Sequence, residues 1–164
     1  MQKAKQRSEI AKQDKWRIED IYATDEAWEA DYNECIRRAK EKCVYQGRLA
    51  ESAQILYQAL KESDEADLLV EHVYVYAFMK YYEDTANAVY QEMSGRAQAA
   101  VTKLSEKYAF LTPEILAIDQ KKMQEYLNSD TLALYRHALE DILAKKEHAL
   151  SEKEERLLAM AGQV

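Results

Sequence analysis

The chain has 164 residues, 48% hydrophobic and 32% charged, with three glycines and one proline. That length suits about one domain, and so little Gly and Pro excludes collagen-like, low-complexity and many-stranded all-β chains, which need a turn every 8–12 residues or so. The formal charge of -7 repels phosphate backbones, so no nucleic-acid partner is expected.

The first residues reverse that sign: Lys3, Lys5, Arg7, Lys12, Lys15 and Arg17 outnumber Glu9 and Asp14. Residues 1–23 read as an extended, partly frayed and solvated segment rather than a binding arm. No apolar stretch follows them as in a signal peptide. Nowhere does a run approach the roughly 18 apolar residues of a membrane span. The expectation is a cytoplasmic chain without membrane contact.

Thr24, Asp25 and Glu26 predict a helix start, a capping hydroxyl with acids in the first turn. Trp28, Tyr32, Cys35, Ile36, Ala39 and Cys43 step by three and four and so share one face of that helix, with Gly47 as its C-terminal stop. Ser52 opens a short second helix carrying Ile55, Leu56, Ala59 and Leu60, which Lys61-Glu62-Ser63-Asp64 breaks. From Asp64 to about Tyr82 a third helix is predicted. Its centre, Val73-Tyr74-Val75-Tyr76, has strand propensity, but no turn residues flank it. Apolar side chains surround that helix from Val73 to Met79, a pattern of burial on more than one side.

Val89, Met93, Ala97, Ala100, Leu104, Tyr108 and Leu111 are spaced 4-4-3-4-4-3, the clearest helical signal in the chain. Gly95 inside it costs about 1 kcal/mol relative to Ala, unless another helix crosses closely there. Thr112-Pro113 begins a short helix with Pro at its first position. Asp119 opens another through Met123, Tyr126 and Leu127, and Leu132, Tyr135, Leu139 and Ile142 mark one more. Ser151-Glu152-Lys153-Glu154 is a capping box ahead of Leu157, Leu158 and Met160. Residues 24–164 are thus expected to form a single all-α domain, an antiparallel bundle or lobe of about six to eight helices.

No residue set carries catalysis. On one helix Cys35 and Cys43 would lie about 12 Å apart, too far for a disulfide, and read as buried thiols. His72, His137 and His148 lack the paired histidines of a helical zinc site. His137 with Glu140 and Asp141 at helical spacing reads first as a surface ion-pair cluster, and otherwise as half a metal site. There is no phosphate-binding Gly loop and no Gly-x-Ser-x-Gly elbow. Tyrosine is abundant, at 12 residues, with Tyr74, Tyr76, Tyr81, Tyr82 and Tyr90 close together. Such a cluster reads first as a core boundary with hydroxyls at the surface, and otherwise as a groove for peptide backbone.

Several stretches together resemble the N-terminal lobe of the oligoendopeptidase F family, bacterial zinc metallopeptidases related to thimet oligopeptidase. They are Trp16-Arg17-Ile18-Glu19-Asp20-Ile21-Tyr22, Glu26-Ala27-Trp28, Tyr74-Val75-Tyr76-Ala77, Asp84-Thr85-Ala86-Asn87 and Phe110-Leu111-Thr112-Pro113-Glu114-Ile115-Leu116. Tyr135-Arg136-His137-Ala138-Leu139-Glu140-Asp141 and His148-Ala149-Leu150-Ser151-Glu152 complete the series, from Trp16 onward. Gly95 and Ala138 depart from it, standing where an acidic and an aromatic residue are expected.

The resemblance implies the first part of a protein several times longer, which hydrolyses short peptides in a channel between helical lobes. In the family a His-Glu-x-x-His helix and a later Glu hold zinc, and none of these residues is present here. No catalytic or metal-binding residue is therefore carried over, and no cofactor is expected in this chain, zinc belonging to the complete enzyme. The implied partners are the catalytic zinc-binding lobe and an oligopeptide substrate. Tyr76, Tyr81, Tyr82 and Asp84 become candidates for channel lining or lobe contact. The alternative is a stand-alone helical module, derived from that lobe, that binds peptides or a partner without cleaving them.

Overall fold

A computed structural model describes residues 9–146. Lys3, Lys5, Arg7, His148, the Ser151–Glu154 capping box and Leu157, Leu158 and Met160 lie outside the described residues. The described residues hold no strand and six α-helices: α1 (Asp25–Lys40), α2 (Ala53–Glu83), α3 (Ala88–Tyr108), α4 (Leu111–Ala117), α5 (Gln120–Leu127) and α6 (Arg136–Lys146). Short 3-10 helices lie at Lys12–Asp14, Ile18–Asp20 and Asp130–Tyr135. The expected all-α class is found. The residues pack as two compact units, one of residues 9–44 and 61–109, the other of 45–60 and 110–146.

In the first unit Thr24 caps α1, its side chain accepting a hydrogen bond from the Ala27 amide at 3.3 Å. Trp28 is 1% exposed and its indole N–H donates to the Val73 carbonyl of α2 at 2.8 Å. The inner face of α2 continues through Ala66, Val70, Val73 and Ala77, all buried, at helical spacing. α3 contributes Met93, Ala97, Ala100, Leu104 and Tyr108, and packs against α1. Ala97 and Ala100 are fully buried, small enough to let the two helices approach closely. Each larger apolar side chain buried here contributes about 1.5–3 kcal/mol. Val89, the first residue of the expected stripe, is exposed, because the first turn of α3 lies beyond the buried face.

α1 ends at Lys40, not near Gly47 as the spacing predicts, and Glu41 turns extended (ψ 139°). The Lys107 ammonium, on a side chain only 7% exposed, donates to the Arg38 carbonyl at 3.0 Å. It adds a second donor to a carbonyl that already accepts the Glu41 amide at 3.2 Å, and it places a cation at the negative end of the helix dipole. The chain can stop there, and Cys43 is buried from the turn that follows rather than from the helix. Cys35 and Cys43 are both free thiols. The charged stretch at Lys61–Asp64 does not break α2, which runs 31 residues. Ser63 is buried, and Glu62 accepts from the Tyr108 hydroxyl at 2.9 Å and from Lys107 at 3.3 Å.

In the second unit the Ser52 hydroxyl caps the start of α2 through the Ile55 amide, 3.2 Å away. Gly47 sits in the turn before it at φ +81°, a conformation that favours glycine. The Glu114 carboxylate, in the first turn of α4, accepts from the Gly47 and Leu49 amides, both at 2.8 Å. Pro113 is the third residue of α4 rather than its first, a position where its missing N–H still costs nothing. Asp119 caps α5 through the Lys121 and Lys122 amides, and the Tyr126 hydroxyl donates to the Ala50 carbonyl at 2.9 Å. The helix expected through Leu132 and Ile142 is divided, 3-10 to Tyr135 and α from Arg136. The Arg136 guanidinium donates to the Leu127 carbonyl at the end of α5, at 2.8 Å.

Gly95 is exposed, and beyond its own helix no heavy atom lies within 4 Å of where its Cβ would sit. The exception for a close helix crossing therefore does not apply. Gly95→Ala is expected to stabilise the chain by about 1 kcal/mol, read as a higher urea midpoint at unchanged slope. An equal or lower midpoint contradicts this account of the site.

Candidate functional site

The end of α2 is unlike the rest of this highly charged chain. Among the ten residues Val73–Tyr82 only Lys80 is charged. Helical spacing divides these residues between two faces. Val73, Tyr76, Ala77 and Lys80 turn into the first unit, whereas Tyr74, Phe78, Tyr81 and Tyr82 form a second, aromatic row.

On the inward face Tyr76 is buried and its hydroxyl donates to Asp25 Oδ1 at 2.8 Å. The Lys80 ammonium bonds the same oxygen and lies 5.1 Å from the Tyr76 ring centre and 5.0 Å from that of Tyr90. Tyr22 meets the Tyr76 ring edge-on at 5.3 Å. Burial alone would raise the Asp25 pKa, but the bonds from Lys80 and Tyr76 outweigh it and hold the carboxyl below its ordinary 3.8. Burial and the bond to Asp25 together push the Tyr76 phenol up. A neutral phenol that donates to a carboxylate is a structural tie, not an acid or a base.

On the aromatic row Tyr74 and Phe78 stack at 4.2 Å, Phe78 meets Tyr81 edge-on at 6.3 Å, and Tyr81 and Tyr82 lie 5.3 Å apart. Tyr82 is 66% exposed. The four candidate residues are thus distributed over three settings. Tyr81 and Tyr82 adjoin on the row, Tyr76 belongs to the interior, and Asp84 shapes the turn into α3 by accepting the Ala86 amide at 3.1 Å. Phe78 is not singled out by the sequence, and Tyr74 only as one of the tyrosine cluster. Their signal was the i, i+4, i+7, i+8 spacing with Tyr81 and Tyr82.

A second aromatic arrangement lies between α1 and α3. The Arg96 guanidinium sits over the Tyr32 ring at 4.2 Å and the Trp28 ring at 5.2 Å and pairs with Glu29. It ties the two helices together. His137 lies 3.7 Å from Asp141 on an exposed helix face, the surface pairing read from the sequence. Among the described residues no group of three or more His, Cys, Asp or Glu side chains is placed to hold a metal ion. Burial and the nearby Asp31 carboxylate push the Cys35 thiol up to about 11, so it stays protonated at neutral pH and is a poor nucleophile.

Two cavities open on the described residues. One in the second unit, of about 480 Å³, is mostly apolar and is lined by Gly47, Ala50, Phe110, Pro113 and Ile118. One in the first unit, of about 310 Å³, is lined by Arg38, Glu62, Lys107 and Tyr108 among others. Lys107 and Tyr108 both bond Glu62 there, and Arg38 bonds Glu34. No helix among the described residues is long and apolar enough to cross a membrane.

Comparison with known proteins bears on this geometry. The peptidase M3 N-terminal family model, described as Oligopeptidase F, matches residues 114–164. Oligopeptidase PepF of Bacillus subtilis (strain 168) is 40% identical over 159 residues, covering 96% of this chain and 24% of that protein. An oligoendopeptidase F homolog of Lactococcus lactis subsp. lactis (strain IL1403) is 39% identical over 166 residues, covering 98% of this chain and 27% of that protein. The crystal structure of oligoendopeptidase-F from Enterococcus faecium superposes with a TM-score of 0.70 at 31% identity, over 85% of this chain and 27% of that one. The chain spans about a quarter of the length of the curated relatives it matches.

The Tyr76–Asp25 bond gives a prediction with a pH signature. Tyr76→Phe is expected to lower stability by about 1–2 kcal/mol at pH 7, the worth of a buried hydroxyl donating to a carboxylate. Because the Asp25 pKa is lowered in the folded chain, its contribution is present above about 3.8 and is lost as pH falls through the folded value. The Tyr76→Phe penalty, measured by urea unfolding, should therefore shrink on acidification. A penalty independent of pH would remove Asp25 from the account.

Proposed function

We propose that this chain, which matches the N-terminal domain of the oligoendopeptidase F peptidases, is a helical lobe bordering the peptide channel of a zinc metallo-oligoendopeptidase. The observation that carries the reading is 40% identity along 96% of this chain to about a quarter of Oligopeptidase PepF. The all-α fold and the likeness to the Enterococcus faecium oligoendopeptidase-F structure agree with it. The 164 residues contain no His-Glu-x-x-His sequence. The chain's own side chains therefore do not fit a zinc site of that type, and zinc, which would supply an activated water, would be held by residues outside this chain.

The role left to this chain is shape. Tyr81, Tyr82 and Asp84, at the end of α2 and in the turn after it, are the residues offered for channel lining or lobe contact. Tyr76 holds α2 in place behind them. A stand-alone module that binds peptides or a partner without cleaving them is the second reading. The exposed Tyr82 at the end of an uncharged aromatic row favours it, since rings can pack against a peptide and hydroxyls can bond its backbone.

The purified chain, supplied with zinc and a fluorogenic oligopeptide, is expected to show no hydrolysis above the buffer rate. Hydrolysis abolished by a chelator would overturn the proposal that the lobe is inactive alone. Tight binding of oligopeptides by the chain, lost in Tyr81→Ala, would decide for the module.

A further inference from the structure

We propose that the aromatic row Tyr74, Phe78, Tyr81 and Tyr82 is the seam along which this lobe packs against the rest of an oligoendopeptidase F polypeptide. The proposal rests on the reading above and narrows it: the row is a lobe-contact surface, and the inward Tyr76 is no part of it.

Charge is the first argument. A solvated helix face in a chain with 32% charged residues carries Lys, Glu and Asp, yet the row has none. The one charge in Val73–Tyr82, Lys80, is turned inward to Asp25. Loss of charged residues with enrichment in aromatics marks the centre of a protein interface, and interfaces that are permanent are the most apolar.

The interior of the unit is the second argument. Val73, Ala77 and Tyr76 supply the buried face of α2, and the ring contacts of Phe78 and Tyr81 run along the row itself. The row covers about 12 Å of helix between Tyr74 and Tyr82 and ends on Tyr82, two-thirds exposed.

Length selects the occupant. Proteins that match this chain along 96–98% of its residues devote 24–27% of their own length to it. They carry about three times as much additional chain, all of which must pack somewhere. A permanent neighbour of that size suits a convex, uncharged row of rings better than a transient peptide, which is held in a concave site.

The test uses this 164-residue chain and the part of Bacillus subtilis Oligopeptidase PepF that it does not match, mixed in trans and followed by analytical ultracentrifugation. The chain is expected to bind that part, and Phe78→Ser and Tyr82→Ser each to weaken binding about tenfold or more. Tyr82 is exposed, so its variant should keep the circular dichroism and melting curve of the parent chain. Binding unchanged in both variants overturns the seam and leaves the lobe reading standing. No binding at all overturns both. Self-association of the chain alone, abolished by the same substitutions, overturns the proposal by assigning the row to a second copy.

Discussion

A buried tryptophan needs an acceptor for its indole N–H, and the Val73 carbonyl that supplies it fixes the first unit. The bond sets both the rotation of α2 and its register on α1. Three residues before Trp28 on α1, Asp25 meets Tyr76 and Lys80, three and seven residues after Val73 on α2. Toward the other end of α1, the Arg38 carbonyl and Glu62 of α2 share the Lys107 ammonium. The two helices therefore run antiparallel, and three ties along their length agree on one register. α3 runs parallel to α1, since Arg96 meets Glu29 and Lys107 meets Arg38 in the same order.

The aromatic row follows from that rotation. At about 100° per residue, Tyr74, Phe78, Tyr81 and Tyr82 centre roughly 130° around the helix from Val73, Tyr76, Ala77 and Lys80. Once Trp28 has claimed one face of α2, the rings on the other cannot enter the same core. The lobe reading and the geometry of the helix thus meet at one place: from Val73 to Tyr82, the face that α1 does not use is also the one without charge.

Much of the fold was legible because it is local. The Thr24 and Asp119 caps, the stripe on α3 and the helical state of Val73–Tyr76 each depend on neighbours within a few residues. What could not be read depends on partners far along the chain. α1 ends at Lys40, where a lysine 69 residues beyond Arg38 binds its last turn, whereas the apolar spacing carries on to Cys43. Lys61–Asp64 contains no Gly or Pro, only residues a helix tolerates, and Tyr108 and Lys107 reward Glu62 for staying in it. The same holds for the candidate residues. Tyr76, Tyr81 and Tyr82 are alike in the sequence, and only the rotation set by Trp28 separates the structural ring from the two on the outer row.

The Glu114 clamp on Gly47 and Leu49 has a consequence for synthesis on the ribosome. It closes across 67 and 65 residues, and most of the intervening chain belongs to the other unit. Joining such distant segments carries an entropic cost that local helices avoid. The first unit has all its described residues once 109 has emerged, whereas residues 45–60 must wait for α4 to bring their carboxylate. The nascent chain therefore holds every described residue of the unit carrying the aromatic row before the last of the other unit is made, and the turn at Gly47 has no Glu114 carboxylate until that residue has been added.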